Sequence, residues 1–560
     1  MYPEQPVGVE RQEVIQDAYP GSSQSPSTMT ARNRELEQMD ARIVSMRRDI
    51  FELTSQRNAR SITYQLPTET LSKIFIECRN LPPRNIVLAG NFRWFKLSHV
   101  SRHWRAIAVG CAQLWSAIDD SCLPLAHVML ERSKRLPLAI EINGYLSPPY
   151  TEDDFCDVMT AALPRLESFK IRIGARTLKR RLASLCMDAT PELRSLSIHN
   201  DTSYEQIALP SNIFKRKTPY LRHLNLYNCH ILWKSPLLSG LTFLKMYSPV
   251  RSAPKQTFED FIKAFSRMPH LTHLDLDVLF PDTTGYSADE GEFGISLPCL
   301  EQLVLTGTFE ECGGFLKWVR MPASASLRLN CTPAPSNLPI IELAKALSWN
   351  THSLSGEISS RSAISALRIY QPSSNTTIVQ TWAESISFTA SVPEMASPSL
   401  QISFPGSGAK ANFHLQHILQ NLPLDCLASL DLSCPIGRDG LRHIAGLPML
   451  ESMHLRGTAV ARHNLSSLDK DIVQSRFGRL LSVSISEVNL DEAVVDLVGF
   501  CVNMLMRDED NNTAIGRLQI VNCYNIPSKT FKIFQHFVDV FEWDGVEGVG
   551  PEEDTDSDEE

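Results

Sequence analysis

The sequence has no run of about eighteen apolar residues, the length a membrane-spanning helix requires. Its first residues, "MYPEQPVGVERQEVIQD", lack the basic start and apolar core of a secretory signal, so the chain is expected in the cytoplasm, the nucleus or both. No Cys-x-x-Cys pair occurs among the 13 cysteines. Disulfide frameworks and zinc ribbons need close, paired spacing, so reduced thiols are the expectation, with no metal and no cofactor. Catalytic signatures are absent too: there is no HExxH, GxSxG or GxxxxGK[ST]. "PGSGAK" around Gly406 lacks the P-loop spacing, and "GVEGVG" from Gly545 reads as a linker. His99 and His103 stand beside arginines in a helical stretch, where surface or packing roles are expected. A non-enzyme follows from these absences.

Charge of one sign is concentrated in one place. The formal net charge is −9, but the tail "PEEDTDSDEE" holds seven acids and no base. About −2 remains for everything else, which leaves no concentrated basic surface for nucleic acid. Residues 546–560 are therefore read as an acidic disordered tail. Residues 1–32, rich in Pro, Ser, Gln and Gly, are read as a disordered N-terminus.

Residues 33–60 read as a heptad helix. Leu36, Met39, Ile43, Met46, Ile50 and Leu53 alternate steps of three and four, a seam of about three repeats and a possible coiled coil. In a parallel, in-register homodimer the flanking pairs are Glu35 with Asp40 and Arg42 with Arg47, both like-charged. That disfavours this dimer, and a helix packed on its own chain is expected instead.

From about Pro124 to Trp543 the pattern L-x-x-L-x-L recurs. Copies begin at Leu166, Leu193, Leu221, Leu241, Leu271, Leu300, Ile364, Leu427, Leu450, Leu480 and Ile515. Neighbouring clear copies are about 20–30 residues apart, the spacing of leucine-rich repeats. The last two apolar residues, two apart, suit a strand with one buried face. Proline one or two residues ahead of several copies ends the preceding helix. Between copies, Phe258, Phe261, Ile262 and Phe265 form one helical stripe, and Val494, Val495, Val498 and Val502 another. Such units bury their apolar faces only by stacking, so residues 121–545 are expected to form a leucine-rich-repeat-like solenoid. Cys229 and Cys523 fall at the ninth position of their repeats, where a structural thiol is expected. The pattern thins between about Thr332 and Gly408, and the sequence leaves open whether degenerate repeats or a protruding insertion occupies that stretch.

Residues 62–120 remain. "YQLPTETLSKIF" starts at Tyr64. Pro67 suits a first helical turn, Glu69 complements the helix dipole, and Leu71, Ile74, Phe75 and Cys78 share a face. "FKLSHVSRHWRAIAVGC" reads as a second helix aligning Leu97, Val100, Trp104, Ile107 and Ala108. "AQLWSAI" reads as a third, with Leu114, Trp115 and Ile118 together. So many large apolar residues on three short helices form a small core and leave apolar surface over, which marks a partner site.

These residues resemble the F-box: Leu66-Pro67-x-Glu69, Leu71, Ile74-Phe75, Val100-Ser101-Arg102-x-Trp104 and Leu114-Trp115 follow the order of the family pattern. Ser101 stands where cysteine is usual, and the segment between Phe75 and Leu97 is long. With the heptad helix before it and repeats after it, the chain is similar to F-box proteins common in mushroom-forming fungi. The resemblance implies an α/β chain overall, with a small all-α F-box module followed by an α/β leucine-rich-repeat horseshoe. It further implies a non-catalytic substrate receptor that docks a Skp-family adapter and, through it, a cullin–RING ubiquitin ligase, with an unknown protein substrate on the repeats. Adapter contact or its support then falls to Leu66, Pro67, Glu69, Leu71, Ile74, Phe75, Leu97, Val100, Trp104, Leu114 and Trp115. The alternative is an interaction scaffold acting outside a ubiquitin ligase. Neither nucleic acid nor membrane is an expected partner.

Overall fold

The computed structural model describes residues 26–80, 92–119, 125–144, 152–248, 256–277, 280–281, 294–332, 339–349, 363–373, 375–388, 397–406, 408–468, 472–473, 477–505, 515–525 and 534–545. The "GVEGVG" stretch beyond Gly545, the acidic tail and most of the N-terminal segment lie outside them. The chain divides into two compact units, Met1–Leu114 and Trp115–Glu560. It is a mixed α/β protein, with an N-terminal helical region and a large, mostly parallel sheet.

In the first unit a long helix, α1, spans Pro26–Ala59. It starts inside the stretch read as disordered, seven residues before the heptad reading placed it. Proline, whose fixed φ and missing N–H suit a first turn, supplies the start. A second correction concerns the seam. Its six residues are 47–66% exposed, with Val44 and Phe51 beside them at 56% and 62%. Among the described residues, the expected packing of this helix on its own chain does not occur. After it come a 3₁₀ turn at Ile62–Gln65, helix α2 at Thr68–Asn80, a 3₁₀ segment at Phe92–His99, helix α3 at Arg102–Gly110 and a 3₁₀ turn at Ala112–Trp115.

The second unit is organised by one sheet. All eleven copies of L-x-x-L-x-L form strands, and six further segments join them in a sheet of 17 strands; two more sheets of two short strands each lie among the described residues. The strand Ala117–Asp119 pairs in parallel with Leu138–Ile142, which pairs with Leu166–Ile173. Parallel pairing continues in sequence order to Ser326–Thr332. Ser326–Thr332 then pairs with Leu400–Pro405. Next, antiparallel, come Thr376–Trp382 and Ala366–Ser373. Ala366–Ser373 pairs in parallel with Ser429–Ser433, and parallel order resumes to Val538–Trp543. Where the sequence pattern thinned, the described chain thus adds three strands to the sheet, Ala366–Ser373, Thr376–Trp382 and Leu400–Pro405, of which only Thr376–Trp382 is reversed.

The register explains why leucine recurs. An unbroken row of buried apolar side chains crosses the sheet from Ile171 through Ile198, Leu226, Met246, Leu276, Leu305 and Leu329. It passes through the reversed strand as Ile402, Val379 and Ile369, and runs on to Leu432, Leu455, Ile485 and Ile520. A one-residue slip anywhere in this row turns that strand's apolar set to the other face, so burial fixes register.

Helices pack against the buried side. In Phe258–Ser266, capped by the Thr257 side chain accepting from the Asp260 N–H, the buried residues are Phe258, Phe261, Ala264 and Phe265, while Ile262 is half-buried. In Leu490–Leu505 the expected valine stripe is corrected in part: Val494, Val498 and Val502 are half-buried and Val495 is exposed, while Leu490, Ala493, Leu497, Phe500, Cys501 and Met504 are buried. Both sets fit helical spacing, and Leu490, Leu497, Phe500 and Met504 bury more apolar area per position than valine does. Cys229 and Cys523 are buried; burial raises both thiols, Cys229 up to about 12, which leaves it protonated at neutral pH.

Beyond the leucine row, the second half of the sheet carries a polar cluster. Arg368 Nε donates to Asp431 Oδ2 at 2.6 Å, and the His454 Nε2 and Ser486 Oγ atoms are 2.9 Å apart. Burial pushes the His454 imidazole down to about 4, with Asp431 opposing and Arg456 and Arg368 adding to it. The folded state therefore takes up a proton at His454 less readily than the unfolded chain. Stability is full above pH 6.5 and falls as pH drops from 6.5 towards 4, by about 3 kcal/mol for this group. Urea unfolding between pH 7.5 and 4.5 is expected to show this loss, and His454→Gln to flatten it. Parallel slopes for wild type and variant contradict the assignment.

Candidate protein-docking site

The helices of the first unit sort the sequence-read residues into two sets. Leu71 and Phe75 of α2 are buried, Phe75 completely, and Phe75 meets the Trp104 ring of α3 at 5.1 Å. Ile107, Ala108 and Leu114 are buried as well. Ile74 and Val100 instead remain 40% and 55% exposed. Leu66, Leu97 and Trp104 are half-buried, and Pro67 and Glu69 are exposed. Ile62, Tyr64 and Val109 add further exposed apolar surface on the same small module.

The single second helix expected from the sequence is two elements. The chain runs as 3₁₀ helix over Phe92–His99, turns extended at Ser101 (φ −158°, ψ 165°), and restarts as α3. Ser101 is the reason. Its Oγ accepts from the Trp104 N–H at 3.1 Å, satisfying a first-turn donor as an N-cap. The residue that departs from the family pattern thus has a structural role that cysteine performs poorly. Arg105 Nε ties the two elements together by donating to the Ser98 carbonyl at 2.9 Å. The expected third helix is also shorter: Ala112–Trp115 is one 3₁₀ turn, and Ile118 lies in the strand Ala117–Asp119. The Leu-Trp pair falls on either side of the division between units. Trp115 is buried in the second, with the Arg132 guanidinium 4.4 Å from its ring centre. The long segment after α2, residues 81–91, lies outside the described residues.

Three residues missed by motif reasoning hold the module. Arg79 Nη1 donates to the carbonyls of Leu114 at 2.8 Å and Gln113 at 3.3 Å, fixing the last turn against α2. Its guanidinium sits 5.7 Å from the ring centre of Trp94, which is 2% exposed. Tyr64 packs against His103 with the ring centres 4.3 Å apart and the planes tilted by 42°, giving that histidine a packing partner. The signal was present in Trp94, a large aromatic beside Phe95, but helical periodicity counted from Leu97 passes over it.

A second surface lies on the sheet of the other unit, on the face opposite the leucine row. Tyr227 and Tyr247 on neighbouring strands stack at 4.6 Å, with His199 edge-on to Tyr227 at 3.8 Å. Ion pairs flank them: Lys170 with Glu141 at 2.6 Å, Arg172 with Asp201 at 2.9 Å and Lys245 with Asp275 at 2.6 Å. Burial, then the positive charge of Arg172, holds the His199 imidazole below its usual range. Half-exposed aromatics among mixed charges suit protein recognition. Among the described residues, no group of three or more His, Cys, Asp or Glu side chains is placed to hold a metal ion, and no helix is long and apolar enough to cross a membrane.

The geometry defines a class: a small helical module on a chain whose remainder is built around a large, mostly parallel sheet. Within it, residues 63–121 match the family model of the F-box-like domain. The match supports an F-box protein, and F-box domains typically bind Skp-family adapters. No curated protein matches the chain.

Because Phe75 is enclosed and Ile74 is not, neighbouring truncations separate. Phe75→Ala is expected to destabilise the module by about 3–5 kcal/mol, and Ile74→Ala by less than about 1 kcal/mol. Hydrogen exchange of peptides from residues 62–114 in the full chain measures both. Equal loss of protection in the two variants contradicts the sorting.

Proposed function

We propose that this chain is a non-catalytic substrate receptor of a cullin–RING ubiquitin ligase, docked to a Skp-family adapter through its F-box-like region. The observation that carries the reading is the F-box-like module, whose motif residues leave Ile74 and Val100 exposed above a core of Leu71, Phe75 and Ile107. Exposed apolar side chains on a rigid helical support suit a docking interface, since they are desolvated at little ordering cost.

In this reading the second unit is a leucine-rich-repeat solenoid that holds the target. Support comes from the eleven motif copies forming strands in one register, with helices between them, and from the Tyr227–Tyr247 face among mixed charges. The mechanism is proximity. A target held on the receptor has its lysines at a raised effective concentration near the ligase-bound ubiquitin donor, so no catalytic group on this chain is needed. Such a receptor works in the cytoplasm or nucleus.

Calorimetric titration of the full chain with a purified Skp-family adapter tests the proposal. Saturable binding is expected, with Ile74→Asp/Val100→Asp weakening it at least about a hundredfold, as loss of central apolar anchors does. The melting temperature should stay unchanged. Absence of binding by the wild type, or wild-type affinity in the double variant, contradicts it.

A further inference from the structure

The exposed seam of α1 calls for a partner, and the charges beside it select one. We propose that α1 pairs with α1 of a second copy of this chain as an antiparallel two-helix coiled coil, with its two-fold axis between Val44 and Ser45. This inference is independent of the adapter reading.

The apolar layers come first. About this axis Leu36 faces Leu53 of the second copy, Met39 faces Ile50, and Ile43 faces Met46. Symmetry doubles these, so all six exposed seam residues are matched and none is left over. At about 1.5 Å rise per residue the seam is about 26 Å long, the span of a short coiled coil.

The flanking charges then decide orientation. In the antiparallel pair, flanking positions meet their own kind: Arg42 meets Asp49 of the second copy, and Asp40 meets Arg47. Each pair occurs twice, giving four attractive contacts. The parallel, in-register pair instead opposes Glu35 to Asp40 and Arg42 to Arg47, all like-charged. Register is selected as well. Sliding one antiparallel copy by a heptad loses two of the six layers. In one direction it opposes Asp40 to Asp40 and Arg42 to Arg42; in the other, Arg47 to Arg47 and Asp49 to Asp49. Asp40, Arg42, Arg47 and Asp49 are all exposed, and none makes an ion pair within the described residues. One arrangement satisfies every layer and all four charges.

A consequence follows for the rest of the first unit. Ala59 ends the helix, and antiparallel pairing sets the two Ala59 residues roughly 40 Å apart at opposite ends of the coil. The two docking modules then leave the coil at opposite ends rather than side by side.

Sedimentation velocity of the full chain across a concentration series, in about 0.1 M salt, tests the proposal. A monomer–dimer equilibrium is expected. Arg42→Asp turns two attractions into two Asp–Asp oppositions and should weaken the dimer roughly tenfold. Arg42→Asp/Asp49→Arg should restore wild-type affinity. Parallel pairing gives the opposite sign, because Asp at position 42 then faces Arg47 and tightens the dimer. Ile43→Asp/Met46→Asp should yield monomer; should that variant lose helicity, the charge pair still decides. A monomer at every concentration, a trimer or tetramer, or a dimer that Arg42→Asp tightens or leaves unchanged overturns the proposal.

Discussion

Each strand of the sheet presents only a short apolar row to one side, and no strand buries that row alone. This constraint organises the second unit. Stability comes from alignment: Ile198 is enclosed because Ile171 and Leu226 flank it, and the same holds along the row to Ile520. The reversed strand Thr376–Trp382 is tolerated because Val379 keeps the row intact between Ile369 and Ile402. Strand direction changes there while the buried position does not. Burial rather than chain direction is what the sheet conserves along its length.

The first unit solves a smaller version of the same problem with fewer residues. Its core rests on Leu71, Phe75, Trp94, Ile107 and Leu114, with Arg79 bridging the last turn through two carbonyls. Once those positions are filled, Ile74 and Val100 have no place inside. Their exposure follows from the size of the module: a few short helices offer too little interior for every apolar residue they carry. Surface left over in this way is what a docking module needs, and α1 repeats the logic with a whole exposed seam.

Legibility in the sequence followed how local the signal is. The spacing i, i+2 in "LRSLSI" or "LTHLDL" reports a strand with one buried face, and each such copy is a strand. Ser326–Thr332 and Leu400–Pro405 carry the same spacing in less leucine-rich form and escaped notice, as did the reversed strand, because pairing order is a property of the whole chain. In the docking module, motif order found the residues, but periodicity placed Ile74 and Phe75 on one face with nothing to rank them. Which of two adjacent apolar residues is enclosed depends on Trp104, far along the chain. The break at Ser101 was readable as a capping serine, yet the apolar pattern running through it suggested one continuous helix. The valines of Leu490–Leu505 misled for a related reason: two stripes fitted the spacing, and packing chose the larger side chains.

The apolar residues of the F-box-like module divide into those that hold it and those left exposed, and in the proposed function the exposed ones receive the adapter. Hydroxyl-radical footprinting of the full chain, alone and with a Skp-family adapter, reads this division side chain by side chain. Ile74, Leu97 and Val100 should be oxidised in the free chain and shielded in the complex. Leu71, Phe75 and Ile107 should be unreactive in both. Unchanged reactivity at Ile74 and Val100 in an adapter-saturated sample, or strong oxidation of Phe75 in the free chain, contradicts it.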